Sequence, residues 1–282
     1  MKKISRRSFL AAAAVSAATL ALTACGGSAS TASSAAASSV AASSEAASTS
    51  TAAAELTTVE AGKLIMSTNA AFPPYEMTDD SGNVVGIDAE IAGAIADKLG
   101  LELVIDDMDF DAAQLAVQQG KSDICMAGLS VTEDRLLVMD FSDSYATGIQ
   151  VVIVPEGSDV TLDNLGEQLI GTQRATTGNI YCTDDYGEDH VIAYDDGIVA
   201  VQDLLNGKVD AVVIDKAPAQ EFVAANPGLV ILDTEYANED YAIGVAKGNT
   251  ALVDAVNGAL AELQADGTIQ SIIDKYIPAE AE

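Results

Sequence analysis

The chain has 282 residues, 43 of them acidic and 13 basic, with a formal net charge of −30. So acidic a protein argues against nucleic acid as a partner and against direct contact with an anionic bilayer; a small molecule or a basic partner fits better. Three cysteines and one histidine, without metal-ligand spacing, point to neither a metal site nor a cofactor.

Residues 1–24 carry a basic start with Lys2, Lys3, Arg6 and Arg7, then an Ala, Val and Leu stretch, and small residues before Cys25. This is the pattern of a secretory leader rather than of a spanning helix, so the mature chain is expected outside the cytoplasm. Leu22-Thr23-Ala24-Cys25 resembles a lipobox, which implies cleavage before Cys25, lipidation of its thiol and anchoring to the outer face of the cell membrane. Ser5-Arg6-Arg7-Ser8-Phe9-Leu10 resembles a twin-arginine export motif, leaving two export routes open. Residues 25–58 are mostly Ser, Ala and Thr and cannot bury enough apolar surface to offset ordering entropy. They read as a disordered tether, with an end-to-end distance of roughly 30 Å for a flexible chain. The rest, about 220 residues, suits one large or two small domains.

In the folded part, residues 63–66 read as a strand and 67–75 as its exit loop, held extended by Pro73 and Pro74. A turn is expected at 80–83, a helix at 87–99 with Ile91, Ala94, Ile95 and Leu99 on one face and Gly100 as its cap, and a strand at 101–105. Phe110 precedes the next helix, and 124–127 is a buried strand leaving through Gly128-Leu129-Ser130. Thr132 is the expected N-cap of a helix whose first turn holds Glu133, Asp134 and Arg135. Residues 149–154 and 241–245 are apolar runs able to cross between lobes. Between them lie a strand at 169–172 and a helix opened by Ala175-Thr176-Thr177-Gly178, whose free N–H groups and hydroxyls suit an anion. His190 falls in an acidic, exposed-looking turn, and helices at 249–265 and 268–276 close the chain. Cys125 and Cys182 fall in different lobes and read as free thiols.

Two stretches repeat. QQGKSDICMAG at 118–128 resembles LNGKVDAVVID at 205–215, each reading as helix, Gly turn, Lys-x-Asp, strand. Two copies are too few for a solenoid and indicate two similar lobes. One strand ends beside Arg135 and the other in Asp215, and open α/β sheets bind ligands beyond the carboxyl ends of their strands. A guanidinium and a carboxylate so placed would hold a zwitterion.

The pieces TNAAFPPYE, VVGIDAEIAGAIADKLG, AGLSVTEDR, MDFSDSY, QRATTGN, GKVDAVVID and ADGTIQSIIDKYI, in this order over 63–277, resemble the extracellular solute-binding proteins of family 3, which carry polar amino acids to ATP-driven importers. The resemblance implies an α/β, two-lobe, type II periplasmic-binding-protein-like fold with two hinge strands. The lobes would take residues 59–148 with 243–282, and 149–242. It implies that Arg135, with Ser130 and the Thr176-Thr177 helix start, takes the ligand α-carboxylate. Asp215 and the Gly128 carbonyl would take its ammonium group, and Phe72 and Phe110 would sandwich its side chain. Asn69 stands where the family often has Asp, and Gln173 and Arg174 stand where members differ, so an uncharged polar side chain is the expected ligand. A monomer serving a permease, and through it an ATPase, is implied, with no chemistry performed. The alternative on the same fold is a cyclohexadienyl dehydratase, which requires a placed general acid.

Overall fold

The structure is a computed structural model and describes residues 56–233 and 235–277. The leader, Cys25 and nearly all of the expected tether lie outside the described residues. After β1 (Lys63–Thr68), three short strands, β2 (Ala71–Phe72), β3 (Glu76–Thr78) and β4 (Val84–Val85), form a small antiparallel sheet. The turn expected at 80–83 joins β3 to β4: Gly82 has φ 83°, and the Asp79 carboxylate accepts from the N–H groups of Ser81 and Asn83. Then follow α1 (Ile87–Leu99), β5 (Glu102–Asp107), α2 (Phe110–Gln118), β6 (Ile124–Cys125), α3 (Glu133–Val138) and the long β7 (Met139–Pro155). The next stretch holds β8 (Ile170–Gln173), α4 (Thr177–Tyr186), β9 (Val191–Tyr194), α5 (Gly197–Leu205), β10 (Ala211–Asp215), α6 (Lys216–Ala225) and β11 (Leu229–Ile231). β12 (Ala237–Ala246) leads back to α7 (Thr250–Ala265) and α8 (Thr268–Tyr276), which pack on α1.

The main sheet has the order β5-β1-β6-β12-β7-β10-β8-β9, with β11 beside β7. β1 pairs in parallel with β5 and β6, and β8 with β9 and β10. Between these groups β7 and β12 run antiparallel, from Ala246 opposite Met139 to Ala237 opposite Gln150. β6 joins β12 near Gly244, whereas β10 joins the far end of β7 through Gln150–Ile153. The pair therefore crosses from one lobe to the other, giving the two-lobe type II architecture. The crossing strands are longer than the runs at 149–154 and 241–245, because residues 139–148 are ordered by pairing with β12 although only some are buried.

The repeat has a physical basis. Gly120 and Gly207 end α2 and α5 with φ 65° and 67°, a left-handed conformation that glycine adopts without penalty. The aspartate of each Lys-x-Asp then clamps the neighbouring strand. Asp123 accepts from the N–H groups of Val59 and Ile65 at 2.7 and 2.8 Å, and Asp210 accepts from that of Leu169 at 2.9 Å. The strands that follow, β6 and β10, lead to Gly128 and Asp215 at the cleft.

Other boundaries differ slightly. β6 stops at Cys125 rather than at residue 127, because Met126 keeps only one bond to Ser67 before Gly128 turns the backbone. Phe110 opens α2, with Asp109 before it, and β5 and β8 lie one residue or two further on than expected. His190 is partly covered, with Nδ1 3.2 Å from the Gln168 carbonyl oxygen. Cys125 and Cys182 are free and buried.

Candidate ligand-binding cleft

The lobes meet around a small, tightly filled pocket lined by Asn69, Phe72, Phe110, Gly128, Ser130, Arg135, Gln173, Thr176, Thr177 and Asp215, together with Glu76 and Ala127. Ten of the positions given a ligand role from sequence thus face one space, whereas Arg174 does not, and Cys25 lies outside the described residues.

Thr132 caps α3 by accepting from the Arg135 N–H at 3.2 Å, and the Arg135 side chain lines the cleft. There Nη1 donates to the Ser130 carbonyl at 2.7 Å and Nη2 to the Ala175 carbonyl of the other lobe at 2.9 Å. Ala175 has φ 60°, the one non-glycine with positive φ among the described residues. Arg135 is 6 % exposed and stacks on Phe110, 5.5 Å from the ring centroid. It forms no ion pair among the described residues, and burial pulls its pKa below the ordinary value while the Glu239 charge opposes this. A buried guanidinium satisfied only by carbonyls still has N–H groups for a carboxylate. Arg174, in contrast, is exposed and pairs with Asp195 at 2.8 Å on the rim.

Opposite, Asp215 ends β10 and begins α6. It is 6 % exposed and accepts from the Tyr241 hydroxyl. Burial, then the Glu239 charge, pushes its pKa up to about 7. Gly128 reaches the cavity because Asp88, fully buried, accepts from its N–H at 2.9 Å and from the Tyr145 hydroxyl at 2.8 Å. Burial raises Asp88 to about 6. A Cβ on Gly128 would lie 2.7 Å from the Phe72 ring, so only glycine leaves both Phe72 and the carbonyl in place.

Asn69 is less free than its sequence position suggests. Its Oδ1 accepts from Gln173 Nε2 at 2.9 Å and its Nδ2 donates to Asp196 at 3.2 Å, both across the cleft. Thr176 caps α4, accepting from the Asn179 N–H, and Thr177 donates to Glu239 at 2.8 Å.

Glu76, Asp196, Gln150 and Glu239 had no expected role. Glu76 opens β3 and is fully buried on the cavity wall; no N–H or hydroxyl donates to its carboxyl oxygens, and its carboxyl is hydrogen-bonded to that of Asp88. Burial, followed by the Asp88 charge, raises its pKa well above the usual range. Its only local signal is an acid at the start of a three-residue strand directly after Pro73-Pro74-Tyr75.

Residues 64–279 match the family of bacterial extracellular solute-binding proteins, family 3. The chain belongs to this family. A probable histidine-binding protein of Neisseria gonorrhoeae is 30% identical over 277 residues, covering 95% of each chain. Among solved structures, an arginine-binding protein of T. maritima (a P235GK mutant) is 38% identical, with TM-score 0.73 over 77% of this chain and 96% of that one. An ancestral arginine-binding protein bound to glutamine is 37% identical, with TM-score 0.74 over 77% and 99%. Like these relatives, the protein is a solute-binding protein of amino-acid transport and not an enzyme, and family membership places it outside the cytoplasm with an ABC transporter as partner.

Proposed function

We propose that the chain captures a free amino acid with a cationic side chain, arginine foremost, and delivers it to the permease of an ABC importer. The α-carboxylate binds Arg135 with Ser130 and the α4 start at Thr176 and Thr177; the ammonium group binds Asp215 and the Gly128 carbonyl. The side chain passes between Phe72 and Phe110, and its cation meets Glu76.

The observation that carries this reading is Glu76, a fully buried acid on the cavity wall to which no N–H or hydroxyl donates. With Arg135 and Asp215 matched to the two ends of a zwitterion, Glu76 is the acid left over; burial keeps it neutral in the free protein, and a guanidinium supplies the counter-charge and the fork of donors that would stabilise its ionised form. Two phenylalanine faces add cation–π attraction of about 2 kcal/mol when desolvated. The arginine- and histidine-binding names of the relatives support the same class. The uncharged ligand suggested by Asn69 loses ground because that amide is already engaged by Gln173 and Asp196. Glutamine remains the second reading: a protonated Glu76 could donate to a side-chain amide, and one relative is bound to glutamine.

Competition binding of L-arginine, L-lysine, L-histidine, L-glutamine and L-cystine tests this on the full chain and on Glu76→Gln. Hydrogen bonds to charged groups contribute about 1.5–3 kcal/mol, so Glu76→Gln should weaken arginine roughly 10- to 150-fold. Tightest binding of glutamine, or arginine affinity untouched by Glu76→Gln, would overturn the cationic reading. The lipid anchor on Cys25, the tether at 25–58, a monomeric state and the lobe boundaries near 148/149 and 242/243 complete the proposal; the leader sequence and the crossing of β7 and β12 support them.

A further inference from the structure

Glu239 lies on β12 where both crossing strands and both lobes come together. One of its oxygens, Oε2, accepts three hydrogen bonds: from Ser130 Oγ of the first lobe at 2.9 Å, from Thr177 Oγ1 of the second at 2.8 Å, and from Gln150 Nε2 of β7 at 3.1 Å. The donors are 3 %, 2 % and 1 % exposed, so this is an interior constellation and not a surface bridge. Its other oxygen is buried and takes none of these three bonds, and the Tyr181 hydroxyl also bonds to the carboxylate. Among the charges acting on the Arg135 guanidinium, that of Glu239 is the strongest. A carboxylate already sits among two of the hydroxyl donors assigned above to the ligand α-carboxylate.

Hydroxyl chemistry makes the two uses exclusive. Serine and threonine each carry one O–H, so Ser130 and Thr177 can each donate to one carboxylate at a time. A second carboxylate brought to the same donors would also meet the repulsion of a like charge in a desolvated site. Glu239 reaches the donors from the crossing strand, and it bonds one hydroxyl from each lobe. While it does so it also ties the lobes together.

We propose that Glu239 is a built-in competitor for the carboxylate subsite, holding Ser130 and Thr177 across the cleft until the α-carboxylate of an amino acid displaces it. The proposal rests on the assignment of Arg135, Ser130 and Thr177 to the ligand carboxylate. The latched protein is an off-state, so apparent affinity is the intrinsic affinity reduced by the unlatched fraction. Loss of the latch then tightens binding and opens the free protein together. An ordinary ligand-contacting residue would weaken binding on removal, and a merely structural acid would leave the two observables uncoupled.

The test uses the full chain with Glu239→Ala and the near-isosteric Glu239→Gln, which keeps the volume should the alanine variant fold poorly. Calorimetry gives the affinity for whichever of L-arginine, L-lysine, L-histidine, L-glutamine and L-cystine binds the unsubstituted chain most tightly. Spin labels at Asp111→Cys and Asp184→Cys, both exposed and on opposite lobes, report the opening of the free protein. Glu239→Ala should bind about tenfold tighter, equivalent to 1.4 kcal/mol, with Glu239→Gln between it and the unsubstituted chain. Both free variants should show a longer label separation. Unchanged or weaker binding in both variants, or unchanged separation, overturns the latch. Arg135→Ala separates the two failures. If it abolishes binding while the Glu239 variants bind no tighter, the carboxylate subsite stands and the latch alone falls. If Arg135→Ala binds normally, the subsite itself is wrong and the latch falls with it.

Discussion

Acidification should weaken ligand binding steeply, and the reason lies at Asp215. Its pKa is pushed up to about 7 by burial and by the Glu239 charge, so near neutrality about half the molecules carry the neutral acid. An ammonium group pairs with the ionised form, so binding must expel the proton. For a single such group the observed dissociation constant rises about tenfold per pH unit below the free-state pKa, roughly 10-fold at pH 6 and 100-fold at pH 5, and levels off above about pH 8. Glu76, also raised, adds a second proton if the side chain of the ligand is a cation, making the slope for arginine steeper than for glutamine. Calorimetric titrations with L-arginine from pH 5 to 8.5, in buffers of different ionisation enthalpy, give both the affinity and the protons released. Asp215→Asn should bind weakly at every pH and lose one unit of slope. Affinity independent of pH between 5 and 8 in the unsubstituted chain would refute the assignment of Asp215 to the ammonium group.

The stability of the free protein should move the other way. The folded pKa of Asp215 and that of Asp88, up to about 6, both lie above the usual carboxylate values. The fold therefore favours their neutral forms, and this stabilisation is complete below about pH 4 and lost as pH rises through 6 to 7. It amounts to a few kcal/mol at 1.36 kcal/mol per unit. Urea denaturation at pH 5 and pH 8 measures the difference. The strand clamps offer a separate check: Asp123→Ala leaves two backbone N–H groups without their acceptor and should lower stability by about 1–3 kcal/mol, more than Asp210→Ala, which strands one. Cys25→Ala should move the protein from the detergent phase to the aqueous phase on partitioning while leaving ligand affinity unchanged.

What the sequence revealed is explained by where its signals are local. The two Gly-Lys-x-Asp copies were readable because each aspartate serves the strand next to it, and the glycine turn and apolar run lie within a dozen residues. Arg135 and Asp215 followed from their places at the strand ends. Glu76 and Glu239 did not, because the burial of an acid depends on what packs over it from distant elements. β3 is covered by α1, and Glu239 is enclosed by Ser130, Gln150 and Thr177 from three separate segments. A faint signal existed for Glu239: alternation along β12 puts Asn238 and Asp240 out and places Glu239 on the side of Tyr241. The bonding of Asn69 was hidden for a related reason: its amide looks available in sequence, and its partners Gln173 and Asp196 come from distant segments across the cleft.

The central claim is that a free amino acid is held by its two α-groups, one on Arg135 and one on Asp215. Calorimetry at pH 8 on Arg135→Ala, with the tightest-binding amino acid, tests it most directly, provided thermal denaturation shows the variant folded. Leaving a buried charge without its partner costs about 3–5 kcal/mol, so affinity should fall roughly 10²- to 10³-fold or more. Affinity within threefold of the unsubstituted chain would contradict the account and return Arg135 to a structural role joining Ser130 to Ala175.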